Sequence, residues 1–191
     1  MQMELKSVAV YCGSSFGTSE VYREAAVRLG QELAERGLTL IYGGASVGLM
    51  GAVADAVLEA GGSVTGVIPT LLEAREISHR NLTELIVVDS MHERKRTMIE
   101  RADGFIALPG GPGTMEELFE VMTWSQIGLH QKPFGLLNIN GYYDQLIQFF
   151  DHMNKEGFYK DEYRENVLVS SDPASLLNTF ATYHAPGVKT Y

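Results

Sequence analysis

The 191-residue chain has a single cysteine, Cys12. One thiol cannot close a disulfide within the chain, and no cysteine–histidine spacing suited to zinc occurs. The histidines, His79, His92, His130, His152 and His184, show no paired ligand spacing either, so no metal is expected. A basic excess is also missing, since 15 lysines and arginines face 24 acids, for a net charge of −9. That argues against a nucleic-acid partner, which calls for a basic face or stripe. It leaves a nucleotide ligand open, because one phosphate needs only a local cluster of donors. The opening residues, "MQMELKSVAVYCGSS", carry charge at Glu4 and Lys6 and too short an apolar run for a secretory leader or a membrane span. The expectation is a cytoplasmic protein with no membrane partner. Repeats, low-complexity tracts and linkers are absent as well. The length suits one domain, so residues 1–191 are read as a single unit, with the tail 184–191 loosely held.

What is present is an alternation. Apolar runs at 7–12, 38–44, 63–69, 85–89, 104–111 and 133–139 read as strands. Amphipathic stretches at 19–37, 49–62, 91–103, 114–127 and 142–156 read as helices between them, and "NVLVSSDPASLLNTFAT" adds a short strand and a last helix. The strands are apolar along their length, as in parallel sheets covered on both faces. Strand–helix order with short links predicts an α/β fold, a doubly wound three-layer sandwich with a mostly parallel sheet.

Ligands of such sheets bind at the carboxyl ends of the strands. Three of those ends are rich in glycine: "YCGSSFG" (11–17), "YGGASVGLMG" (42–51) and "LPGGPGT" (108–114). Glycine lets a ligand approach the backbone closely, and a loop that opens a helix aims free amides at an anion. None is a Walker A motif. Each can also be a plain tight turn, but three at one sheet edge point to a phosphate-bearing ligand.

"PGGPGTMEE" (109–117) admits both readings. Thr114 and Glu117 have the T-x-x-E spacing of a capping box, and Glu116 would complement the helix dipole. That account explains the acids and leaves the surplus of glycine unexplained. The next question is posed by "DSMHERKRTMIERADG" (89–104). Ser90 and Glu93 form another possible capping box. On a helical wheel Lys95 falls inside the apolar arc and Arg94 at its edge. Inward cations need a partner or a ligand, unless their heads reach water over an apolar stem. Cys12 reads as a small buried hydrophobe, and Met122 and Trp124 as core or dimer packing. The segment 69–82 could be a lid.

Taken together, "MHERK" and "PGGPGTMEE" resemble the LOG-type family of cytokinin riboside 5′-monophosphate phosphoribohydrolases, historically mislabelled lysine decarboxylases. "VYCGSS", "YGGASVGLMG" and "GYYDQLIQFFDHMNKEGF" extend the likeness nearly end to end. The resemblance implies a Rossmann-like homodimer that needs no cofactor. It would hydrolyse the N-glycosidic bond of adenosine 5′-monophosphate, preferably N6-substituted, to the free base and ribose 5-phosphate. It implies Arg94 and Glu117 as the catalytic pair. Glu76, Lys95, Gly110, Gly111, Pro112, Gly113, Thr114, Met115, Glu116 and Thr123 would contact the nucleotide. A non-catalytic nucleotide or cofactor carrier on the same scaffold is the alternative.

Overall fold

The computed structural model describes residues 4–75 and 77–189. Seven strands form one sheet: β1 (Ser7–Tyr11), β2 (Thr39–Tyr42), β3 (Val64–Pro69), β4 (Glu84–Val88), β5 (Gly104–Ala107), β6 (Phe134–Leu137) and β7 (Leu168–Ser170). Their order is β4-β3-β2-β1-β5-β6-β7, and every strand pairing is parallel. The helices are α1 (Glu20–Glu35), α2 (Gly48–Glu59), α3 (Thr70–Glu73), α4 (Met91–Arg101), α5 (Pro112–Gln126), α6 (Asp144–Lys155), α7 (Asp161–Glu165) and α8 (Pro173–Ala181).

Alternation along β1 divides the core. Val8 and Val10 point to one face, where α1, α2 and α8 bring Leu29, Leu33, Val53, Val57 and Phe180. Ala9 and Tyr11 point to the other, where α4, α5 and α6 bring Met98, Leu118, Val121 and Phe150. Burial on both faces is why β1 reads as a continuous apolar run. The result is the expected three-layer α/β sandwich. β4 is an edge strand, and its Leu85 and Val87 are partly exposed.

Two short helices, α3 and α7, fall where the sequence shows no helical period. The tail expected to be loosely held is tied by the Lys189 N–H, which donates to the Gln126 carbonyl at 2.8 Å, with Val188 beside Gly128. Among the described residues no helix is long and apolar enough to cross a membrane.

Candidate active site

The strand order reverses between β1 and β5, so the chain leaves these neighbours in opposite directions and opens a crevice beyond their carboxyl ends. A cavity of about 270 Å³ lies there. Tyr11, Cys12 and Gly13 line it from the end of β1 and the loop after it, Gly43 from just beyond β2, Arg94 and Met98 from α4, and Gly111 to Thr114 with Glu117 from the start of α5. Two of the three glycine-rich strand ends meet around it directly, and the third supplies Gly43.

The start of α5 differs from the expected capping box. The helix begins at Pro112, with Gly111 as N-cap and no side-chain cap. Thr114 is therefore already inside the first turn, and Glu117 lies beyond it. Proline prefers the first helical position because its missing N–H would be unpaired there anyway. That preference overrides the T-x-x-E signal. The amides of Gly111, Gly113 and Thr114 have no acceptor among the described residues. Their carbonyl neighbours, by contrast, are all engaged. Tyr143 donates its hydroxyl to Leu108 O and Tyr142 to Gly110 O, both at 2.6 Å, and Gly13 N–H donates to Pro109 O at 3.0 Å. The loop is thus fastened through its carbonyls, while its amides stay open at the positive end of a 15-residue helix. A Cβ on Gly110 would collide with Thr114 Oγ1, so the fold needs glycine there.

Arg94 is buried. Its Nε donates to Val67 O at 3.0 Å and its Nη2 to Gly43 O at 2.8 Å. Two strand-end carbonyls therefore fix the guanidinium plane, and a Cβ on Gly43 would occupy the guanidinium's place. Among the described residues the only polar contact of Nη1 is Met91 Sδ at 3.9 Å, which leaves its charge to the cavity.

Glu117 is half-buried in the cavity wall. Among the described residues its carboxylate makes no hydrogen bond or ion pair. Burial pushes its carboxyl up to about 7; Arg94 and Lys95 oppose the rise, and Glu116 and Glu120 add to it. The Tyr11 phenol and the Cys12 thiol are also pushed up, first by burial and then by Glu117. Cys12 is therefore a protonated wall residue rather than a nucleophile. Among the described residues no cluster of three or more metal-ligating side chains occurs.

Comparison with known proteins bears directly on this site. Residues 50–180 match the family model described as possible lysine decarboxylase. The probable cytokinin riboside 5′-monophosphate phosphoribohydrolase LOGL1 of Oryza sativa subsp. japonica is 50% identical over 176 residues, 92% of this chain and 79% of the relative. The cytokinin riboside 5′-monophosphate phosphoribohydrolase LOG2 of Arabidopsis thaliana is 47% identical over 178 residues, 93% of this chain and 84% of the relative. The chain belongs to the LOG-type phosphoribohydrolase family. Two solved structures share its fold at low identity. One is the molybdenum cofactor binding protein of Rippkaea orientalis, with TM-score 0.71, 22% identity, and 94% and 98% of the two chains covered. The other is the molybdenum cofactor carrier protein of Chlamydomonas reinhardtii, with TM-score 0.70, 22% identity, and coverage of 94% and 100%.

The residues that the LOG-type resemblance implied fall into two groups. Arg94, Gly111, Pro112, Gly113, Thr114 and Glu117 come together around the cavity. Gly110 lines an adjoining cavity of about 230 Å³ with Phe16, Tyr22 and Tyr142. Lys95, Met115, Glu116 and Thr123 do not line the main cavity. Lys95 binds Glu116 instead, Met115 packs toward the core, and Thr123 is exposed on α5. Glu76 lies outside the described residues. The sequence reading did not single out Gly43, Tyr11, Tyr142 or Tyr143. The doubled tyrosine after a strand was the available signal, but nothing local tells which carbonyls it will reach.

Proposed function

We propose that this chain hydrolyses the N-glycosidic bond of adenosine 5′-monophosphates, plain or N6-substituted, releasing the free base and ribose 5-phosphate. The observation that carries the reading is the pairing of an uncapped helix start with an unpartnered carboxylate in one cavity. The open amides of Gly111, Gly113 and Thr114 suit the 5′-phosphate. Glu117, the next turn along α5, faces the ribose.

Breaking the bond moves its electron pair onto the base nitrogen and builds positive charge on the sugar, as in glycoside hydrolysis. Ionised Glu117 stabilises that charge or takes a proton from the attacking water. Water adds its oxygen to the sugar carbon, and the base leaves with a proton. Arg94, held by two backbone carbonyls, orients Glu117 and the substrate and favours the ionised carboxylate. Either role of Glu117 requires the charged form, so activity rises as pH passes through about 7.

The relatives' names support this substrate class. The reading includes a homodimer working in the cytoplasm without a cofactor, and light scattering on the purified chain measures the first of these. Incubation with AMP and with N6-isopentenyl-AMP, followed by chromatography for free base, tests the activity. Binding without base release would instead indicate a carrier.

A further inference from the structure

We infer that Lys95 is a positioning residue, which fastens α4 to α5 through Glu116 and Glu120 and so sets Arg94 against Glu117. The inference rests on the proposed hydrolysis. Lys95 Nζ lies 2.9 Å from Glu116 Oε1 and 3.4 Å from Glu120 Oε2, and its side chain is only 8% exposed. Of these two contacts only the first has hydrogen-bond geometry. Lys95 does not line the cavity.

The register gives this ion pair its leverage. Arg94 and Lys95 are adjacent on α4, and Glu116 and Glu117 are adjacent on α5. Neighbours on a helix point about 100° apart. One residue of each pair therefore faces the cavity while the other bridges the two helices behind it. A bridge one residue from both members of a catalytic pair fixes their separation. A shift of about 1 Å in such a pair costs up to about a hundredfold in rate. A lysine that is nearly inaccessible and already paired is poorly placed to serve as a free phosphate donor.

The bridge also acts through charge. The groups facing Glu117 are Arg94 and Lys95 on α4, Glu116 and Glu120 on α5, Tyr11 on β1 and Cys12 just after it. Removing the Lys95 charge favours protonated Glu117, whereas removing the Glu116 charge favours the ionised form.

The test uses the full chain and the variants Lys95→Met, Lys95→Arg and Glu116→Gln, with far-UV circular dichroism to verify folding. Glutamate side chains are labelled with ¹³C at the carboxyl, and Glu117→Gln assigns the Glu117 signal. In Lys95→Met, kcat for AMP falls about tenfold with KM changed less than about threefold. The Glu117 titration moves up, because a positive charge that favours its carboxylate is gone. Lys95→Arg restores most of kcat. Glu116→Gln, at an exposed carboxylate, moves the titration down and keeps KM, and it decides the question alone should Lys95→Met not fold. A KM increase of about tenfold or more with an unmoved Glu117 titration would make Lys95 a substrate contact and overturn the inference. So would unchanged kcat and titration in Glu116→Gln. If the wild-type chain releases no base, the proposed function falls, and the carbon titration still reports whether the bridge acts on Glu117.

Discussion

Helices α4 and α5 both begin at carboxyl ends of strands on the same sheet edge, and their first turns are completed in opposite ways. At α4, Ser90 Oγ accepts from Glu93 N–H at 3.1 Å, and Glu93 Oε2 accepts from Asp89 N–H at 2.9 Å. The helix start is closed by its own side chains, and the expected Ser90–Glu93 cap is present. At α5 a glycine and a proline replace any capping side chain. The closed start presents side chains, Arg94 toward the cavity and Lys95 toward α5. The open start presents backbone amides. On the proposed function, one sheet edge thereby divides the work of binding an anion and positioning a carboxylate.

Glu117→Gln should break the open side of this comparison most severely. Glutamine is a good helix former, so the fold should persist while base release falls by about a thousandfold or more in single-turnover assays. Retained release would remove Glu117 from the chemistry.

Gly111→Asp closes the open start. Its Cβ would meet nothing within 4 Å, and aspartate is a favourable N-cap. Helix stability should rise by a few tenths of a kcal/mol. The new carboxylate would compete for the free amides and repel phosphate, so ribose 5-phosphate affinity should fall about 10- to 100-fold by calorimetry. Unchanged affinity would place the phosphate elsewhere.

The pH dependence of stability sharpens the same contrast. An unfolded Glu117 titrates near 4.5, and the folded one near about 7, so the folded state holds the proton more tightly. The group's contribution to stability is full below about 4.5 and is lost as pH rises through about 7. Above that the ionised carboxylate costs folding on the order of 3 kcal/mol. Glu117→Gln should therefore melt above the wild type at pH 8 and level with it at pH 4. Equal melting at both values would mean that the carboxyl is not perturbed. The smallest effect belongs to the closed start. Ser90→Ala should cost about 1 kcal/mol in denaturant unfolding and leave phosphate affinity unchanged.

Much of the scaffold was legible because both-face burial leaves a continuous apolar run and a longer helix an amphipathic period. The fold class, the strands and the longer helices follow from those two signals. The cavity's location follows from topology, once β1 and β5 are neighbours. What was misread or left open has specific causes. T-x-x-E at 114–117 mimics a cap, but Pro112 starts the helix earlier. The inward Lys95 does have a partner, but the partner lies on the next helix, 21 residues on, and no local pattern gives that distance. The short α7 carries too few turns to show a period.

The tyrosine latch also has a consequence in time. Tyr142 and Tyr143 follow the carbonyls that they hold by 32 and 35 residues. A chain made from its N-terminus produces its glycine loop well before the means of holding it in shape. A nascent polypeptide stalled between Thr114 and Asn138 would carry every amide of the open helix start and neither of the phenols that fasten its loop. The loop gains its fastening only as the segment entering α6 emerges, which on the proposed function ties the onset of ligand recognition to a late stage of synthesis.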